Sequence, residues 1–169
     1  MTPQWHLLYT RHRWETKVSA HLADKGLEHY CPMNRVEKQG KKKSTSEVLF
    51  PSWVFVKSMD SELPALRQVK GVVNLVYWLG KPVTVPGNEM EAIVHFVNDH
   101  QSIGLERTAV AAFEDAVINR TIQSLDQYNL ETLSIPSLGM ALSAIVKQPK
   151  LELVRNEMEF NNGLRYAYS

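Results

Sequence analysis

Along this chain the apolar positions switch between a strand period and a helix period, and each switch marks an element. Trp5-His6-Leu7-Leu8-Tyr9-Thr10 is apolar enough to predict a central first strand, and Arg11-His12-Arg13 follows as a basic turn. Trp14, Val18 and Leu22 then recur every fourth residue, which predicts an amphipathic helix from about 14 to 25. Gly26 stands where that helix should stop, because helices commonly close on a left-handed residue and glycine adopts that conformation without steric penalty. A basic stripe of Arg13, Lys17 and His21 runs beside the apolar one at the same spacing. Residues 27–33 predict a second strand ending at Pro32, and the polar, lysine-rich stretch 35–46 predicts a mobile hairpin or loop. Residues 48–57 are then almost wholly β-branched or aromatic, broken only at Pro51-Ser52. Proline cannot donate to a ladder, so this stretch predicts a kinked strand pair, 48–50 and 53–57, laid on the first strand in a mainly antiparallel sheet. Alternate strand residues face opposite sides. Trp53 and Phe55 therefore share one face, and Val54 and Val56 are expected to pack inward beneath helices.

Further on, a short helix is predicted over 60–69, capped by Asp60 or Ser61 and ended by Gly71. Residues 72–79 predict another strand, Gly80-Lys81-Pro82 a turn, and 83–85 a short strand. Met90, Ile93, Val94 and Val97 give a one-sided helical pattern. The period lapses after Gln101, which places a linker at 102–107 between a unit over 1–101 and a second one. Five short segments with turn signals, 108–113, 116–125, 129–135, 140–146 and 151–154, predict a small β-barrel over 108–155, although 109–112 and 118–125 also read as helix, and 156–169 reads as a loosely ordered tail. The fold class is α+β.

Composition adds one asymmetry. The chain has 169 residues, 44% of them apolar, enough for one ordinary domain or two small ones. Net charge is only +1, but residues 1–57 hold ten Lys/Arg against five Asp/Glu, and the remainder nine against thirteen. A basic first half points to a polyanion or an acidic partner. Lys41, Lys42 and Lys43 can hold phosphates by long-range attraction or simply keep a loop soluble. The single cysteine, Cys31, excludes an intramolecular disulfide and a cysteine-rich zinc site, and fits a reducing, cytoplasmic location. The N-terminus lacks a signal-peptide pattern, and no apolar run reaches the roughly 18 residues of a membrane span.

Chemistry is sparse. The glycines are isolated turn glycines, and there is neither a Gly-x-Ser-x-Gly elbow nor a His-Glu-x-x-His helix. His95 and Asp99 lie one helical turn apart beside His100, short of the four ligands of a structural metal site. His29 and Cys31 would point the same way on a strand, without a third group to orient them as base and nucleophile. The sequence argues for binding rather than catalysis, with no cofactor.

Taken together, these residues resemble the N-terminal domain of NusG-type transcription elongation factors. The resemblance runs through Trp5-x-Leu-Leu-Tyr9, Trp14-Glu15-x-Lys17-Val18, Pro32, the basic loop, Leu49-Phe50-Pro51-x-Trp53-Val54-Phe55-Val56, Val69-x-Gly71-Val72, and Gly80-Lys81-Pro82-x-x-Val85-Pro86 followed by Glu89. Within the family it leans toward specialised paralogues, the RfaH-like and UpxY-type antiterminators, through Arg13-Trp14-Glu15-x-Lys17-Val18. The family's second domain is a five-stranded, SH3-like barrel with a glycine-rich KOW loop. Residues 109–125 have no glycine where that loop belongs, so the barrel reads as divergent, although 133–142 resemble a strand-turn-strand near its end.

The resemblance implies a factor that docks on the clamp helices of RNA polymerase and suppresses pausing or termination, in an operon-specific way. It implies a docking face of Tyr9, Phe50, Trp53 and Phe55. Arg11, His12, Arg13, Lys17 and His21 would meet the non-template DNA strand, beside Lys41, Lys42 and Lys43. Ribosomal protein S10 or the termination factor Rho would be partners of the second domain. The competing expectation is a freestanding RNA-binding module, which calls for basic charge in the second half, where this chain is acidic.

Overall fold

The computed structural model describes residues 2–40, 43–108, 119–125 and 127–147. In chain order its elements are β1 (Gln4–Thr10), α1 (Glu15–Asp24), β2 (His29–Tyr30), β3 (Met33–Val36), β4 (Thr45–Val48), β5 (Trp53–Ser58), α2 (Leu63–Leu66), β6 (Val72–Leu75), β7 (Tyr77–Trp78), β8 (Lys81–Pro82), β9 (Thr84–Val85), α3 (Gly87–Asp99), β10 (Gly104–Arg107), β11 (Arg120–Ser124), β12 (Tyr128–Ile135) and β13 (Met140–Lys147). Mixed helix and sheet bear out the α+β expectation. An N-terminal sheet runs in the order β2-β5-β1-β6, with β9 on the β1 edge that β6 also uses, and a C-terminal sheet runs β10-β13-β12-β11. Small ribbons, β3-β4 and β7-β8, stand apart.

The N-terminal sheet is central in the energetic sense, because both of its faces are buried. β1 and β5 pair antiparallel from Gln4↔Ser58 to Tyr9↔Trp53. On one face Leu8, Val54 and Val56 close against Val18 and Leu22 of α1, Leu66 of α2, and Val69 and Leu75. This is the inward packing of the two valines expected from alternation. On the other face Leu7 and Phe55 join Met90, Ile93, Phe96 and Val97 from α3, together with Leu133, Ile135, Met140, Leu142 and Ala144 of the C-terminal sheet. Each fully buried aliphatic or aromatic side chain contributes about 1.5–3 kcal/mol relative to exposure, so both faces matter to stability.

Local chemistry explains where the elements stop. α1 ends in a Schellman motif: the Gly26 N–H donates to Ala23 O at 2.9 Å and the Leu27 N–H to Leu22 O at 3.0 Å. Gly26 has φ 69°, and Leu27 folds back onto the helix-side core. At Gly71, φ is 95° and a Cβ would lie 2.6 Å from the Trp14 ring and 2.9 Å from Val18. Only glycine lets that backbone lie against α1.

Several expectations are corrected. Residues 48–57 are not a strand pair on β1, since Val48 ends β4 and pairs with Met33 in a separate ribbon. Between β4 and β5 the chain reverses at Ser52, φ 62°, with the Trp53 N–H donating to Phe50 O. The strand expected over 72–79 breaks at Val76, whose N–H bonds Leu7 O while its own carbonyl accepts from Val83, so Tyr77 and Trp78 peel away to pair with β8. The turn there is Leu79-Gly80, with φ 47° and 78°. The helix near 60 is a 3-10 turn running into the single turn of α2, and Glu62, not Asp60 or Ser61, caps it by accepting the Met59 N–H.

The stretch 102–107, expected as a linker, contains β10, which pairs with β13 from Gly104↔Ser143 to Arg107↔Met140. Asn34 fixes its start: its side chain accepts from the Ile103 N–H and donates to the Ile103 carbonyl, each at 2.9 Å. The C-terminal sheet has four strands among the described residues. Residues 109–113, 116–118 and 151–154 of the expected barrel strands, and the tail 156–169, lie outside them.

Candidate docking and nucleic-acid surfaces

The β1–β5 register places Trp5, Leu7, Tyr9, Trp53, Phe55 and Lys57 on one face of the sheet. The turn before β5 adds Phe50 to it. Its ring lies parallel to Trp53 (10°, centroids 6.4 Å apart) and edge-on to Phe55 (84°, 5.4 Å). That turn needs an acceptor for its Ser52 N–H, and Glu15 at the start of α1 supplies one, with Oε1 at 2.6 Å. Glu15 is itself buried. Glu15 at the head of α1 is thus the prop of the aromatic turn, a role invisible from spacing because 37 residues separate it from Ser52.

Of the four expected docking residues, Tyr9 is 45% exposed and Trp53 is half-buried, while Phe50 and Phe55 are fully covered. What covers them is the rest of α3's core and the C-terminal sheet. The closure is loose. One cleft of about 380 Å³ opens beside Tyr9, Phe50 and Trp53 against Leu105, Arg107 and Met140. Another of about 280 Å³ lies between Leu7, Trp53 and Val76 on one side and Leu138 and Met140 on the other. Interiors packed to crystal-like density have few such voids.

Polar contacts pin this seam at both ends of α3. Near its N-terminus the buried Glu89 carboxylate accepts from the Ser137 N–H at 3.3 Å and from the Ser137 hydroxyl. At its C-terminus His100 meets Glu131 of β12 at 2.8 Å, and Glu131 also accepts from Arg120 of β11. Burial pushes the Glu131 carboxyl upward, but hydrogen bonds from Arg120 and His100 outweigh it and hold the group below the usual carboxylate range. Sequence reading missed Glu131 and Ser137, and it met His100 only beside a metal-ligand pair and Glu89 only within the family resemblance. The one available signal was the acidic Glu131 on the same alternate set of strand positions as Leu133 and Ile135.

The basic surface lies on the opposite side of the sheet, at α1. Arg11 and Lys17 converge on the Trp14 ring, the guanidinium 5.5 Å and the ammonium 4.7 Å from its centroid, a cation–π arrangement. Trp14 is held there by Gly71, and the Arg11 N–H donates to Gly71 O at 2.9 Å. His12 and Arg13 are exposed in the adjoining turn, Arg13 at φ 61°, and His21 is half-buried a turn beyond Lys17. Lys43 is exposed between β3 and β4, whereas Lys41 and Lys42 lie outside the described residues. The structure therefore gathers Arg11, Trp14 and Lys17 into one contact and leaves Lys43 on a separate ribbon.

Among the described residues no three His, Cys, Asp or Glu side chains are grouped as metal ligands. The Cys31 thiol is pushed up by burial, with Ser19 lowering it and Glu15 raising it, and the His29 ring is engaged by the Leu27 carbonyl at 2.9 Å. No helix among the described residues is long and apolar enough to cross a membrane.

Residues 3–94 match the family model described as "NusG: Transcription termination factor nusG", more than half of the chain. Among solved structures, one titled "Domain interaction in Thermotoga maritima NusG" matches with a TM-score of 0.51 at 21% identity. The match covers 86% of this chain and 93% of that one.

Proposed function

Because the chain belongs to the NusG family of transcription elongation and termination factors, whose members work with RNA polymerase, we propose that it is an operon-specific antitermination factor that docks on the polymerase clamp helices. Residues 1–101 form the docking unit. Tyr9 and Trp53, with Phe50 and Phe55 behind them, are the apolar anchors, a role for which aromatic side chains are favoured because they carry most of the energy of an interface. The observation that carries this reading is the double-sided N-terminal sheet. Its helix-side core, Leu8, Val54 and Val56 against α1 and α2, closes without the C-terminal sheet, while the aromatic face is capped only across a cleft-ridden, polar-pinned seam. In the free protein the C-terminal sheet masks the face, and docking requires the two to part. Arg11 and Lys17 around Trp14, flanked by His12, Arg13 and His21, engage the non-template DNA strand by phosphate contact and stacking, and Lys41, Lys42 and Lys43 add long-range attraction for phosphates. Ribosomal protein S10 or Rho would contact the second unit, 108–155.

The test is retention on core RNA polymerase. Trp53→Ala is expected to weaken binding about 30-fold, the equivalent of the roughly 2 kcal/mol that defines a hot spot. Since Trp53 is also part of the closed seam, its removal loosens the mask and would by itself favour docking. A loss of binding is therefore attributable to the lost contact, and unchanged binding sinks the assignment of the face.

A further inference from the structure

The seam between α3 and the C-terminal sheet places an imidazole between two hydrogen-bond acceptors. His100 is half-buried where α3 ends, with its side chain largely covered and its ring stacked on Phe96 at 4.2 Å between centroids. Its Nδ1 lies 2.9 Å from the Phe96 carbonyl oxygen and its Nε2 2.8 Å from Glu131 Oε2. A carbonyl oxygen can only accept. Glu131 accepts from Arg120 through its other oxygen, and its carboxyl sits below the usual range, so it too is an acceptor. An imidazole with an acceptor at each nitrogen satisfies both only when it carries two protons.

We propose that His100 is a proton-operated latch that holds the C-terminal sheet over the aromatic face. Protonated, it ties the end of α3 to β12 through a charge-assisted hydrogen bond. Deprotonated, the ring has one N–H for two acceptors, so either the Phe96 carbonyl or the Glu131 carboxylate faces a bare lone pair, and any bond kept to Glu131 loses the charge of the ring. The charged groups facing the ring are Glu131 from β12 and, through Glu131, Arg120 from β11, whose guanidinium also lies 5.9 Å from the Phe96 ring. On the β3 side, Arg35 reaches Asn98 O and Glu37 meets Gln101, neither bonding the imidazole. Glu89–Ser137, the pin at the far end of α3, does not involve His100 and acts as the hinge side of the closure. The partner being regulated is the docking face of the proposed function, so the inference rests on that reading for its purpose but not for its mechanism.

The experiment uses the free full-length chain labelled with 5-fluorotryptophan, the Trp53 resonance being assigned through Trp53→Phe. Closed and open populations are read from that resonance at about pH 6 and about pH 8, either side of the range in which imidazoles titrate. The open share is expected to rise about tenfold at the higher pH, as for loss of one charge-assisted hydrogen bond. His100→Gln is expected to abolish the step, leaving five histidines in place as internal controls. Glu131→Gln, whose amide can donate to a neutral Nε2, is expected to abolish or invert it. Equal wild-type populations at both pH values, or a wild-type step retained in both variants, overturns the latch. No polymerase is present, so failure of docking and failure of the latch are read separately.

Discussion

Ser52 sits at φ 62° with its N–H turned into the protein, and both facts would be liabilities without Glu15. A non-glycine residue in the left-handed region and a buried unpaired donor each cost on the order of 1–3 kcal/mol. One carboxylate offsets the second and holds the aromatic turn in register with β5. His6 shows the opposite situation. It faces the helix side of β1, is fully buried, and neither ring nitrogen has a well-aligned hydrogen-bond partner; the Asp60 carboxylate is 3.6 Å away. Burial lowers its pKa, and the charge of Asp60 and the Ser58 backbone offset this only in part. The unfolded chain therefore binds the proton more readily than the folded one. The stability linked to His6 is fully present above about pH 6.5 and is lost as pH falls through its lower folded value. His6→Leu is expected to make the fall in thermal midpoint between about pH 7 and pH 5 shallower than in wild type, and a parallel fall would count against the assignment.

At the scale of elements, periodicity found the ones that carry a continuous apolar stripe. β1, α1 and α3 stand where the pattern of apolar residues put them, because each buries a continuous stripe. It failed where pairing decides. β10 is four residues with two charges and becomes a strand only because β13 presents a free edge to it. The run 72–79 splits because Val76 is held by Leu7 on one side and Val83 on the other. The β7–β8 ribbon that results turns through Leu79 and Gly80, both left-handed, as a two-residue type I′ hairpin requires. Leu79 is 87% exposed, so its side chain contributes almost no packing to set against that strain. Leu79→Asn is expected to stabilise the fold by about 1 kcal/mol, read as a higher urea midpoint at unchanged slope. A lower midpoint would mean that Leu79 is held by a contact worth more than the turn.

For the whole molecule, the arrangement puts two surfaces on opposite faces of one sheet. The Trp14 cluster with Arg11 and Lys17 lies on the helix side, and Tyr9, Trp53 and Phe55 lie on the other. Strands share their register across the sheet but not their side chains, so the two functions should separate by mutation. A double change, Arg11→Ala with Lys17→Ala, is expected to reduce crosslinking to the non-template strand in a paused complex by about tenfold or more, given the loss of two phosphate contacts, while polymerase retention stays within about twofold. Loss of both together would mean that the surfaces are one. Raising salt should narrow the difference between wild type and the double variant, since phosphate contacts weaken as counterions become plentiful.

The amino-acid sequence by itself determined the strand and helix periods, the division of residues 53–56 between two faces, the glycine that stops α1 and the basic stripe along it. These follow from local geometry: 3.6 residues per turn, two per pleat, and the freedom of glycine at positive φ. Only the tertiary structure decided that Phe50 and Phe55 lie beneath the C-terminal sheet, that Glu15 supports Ser52, and that His100 and Glu131 meet. Each of those contacts joins residues more than thirty positions apart, and no periodicity carries information across such a span. What closes over a surface is set by which distant segment can bury its own apolar face there, and that is a property of the packed molecule.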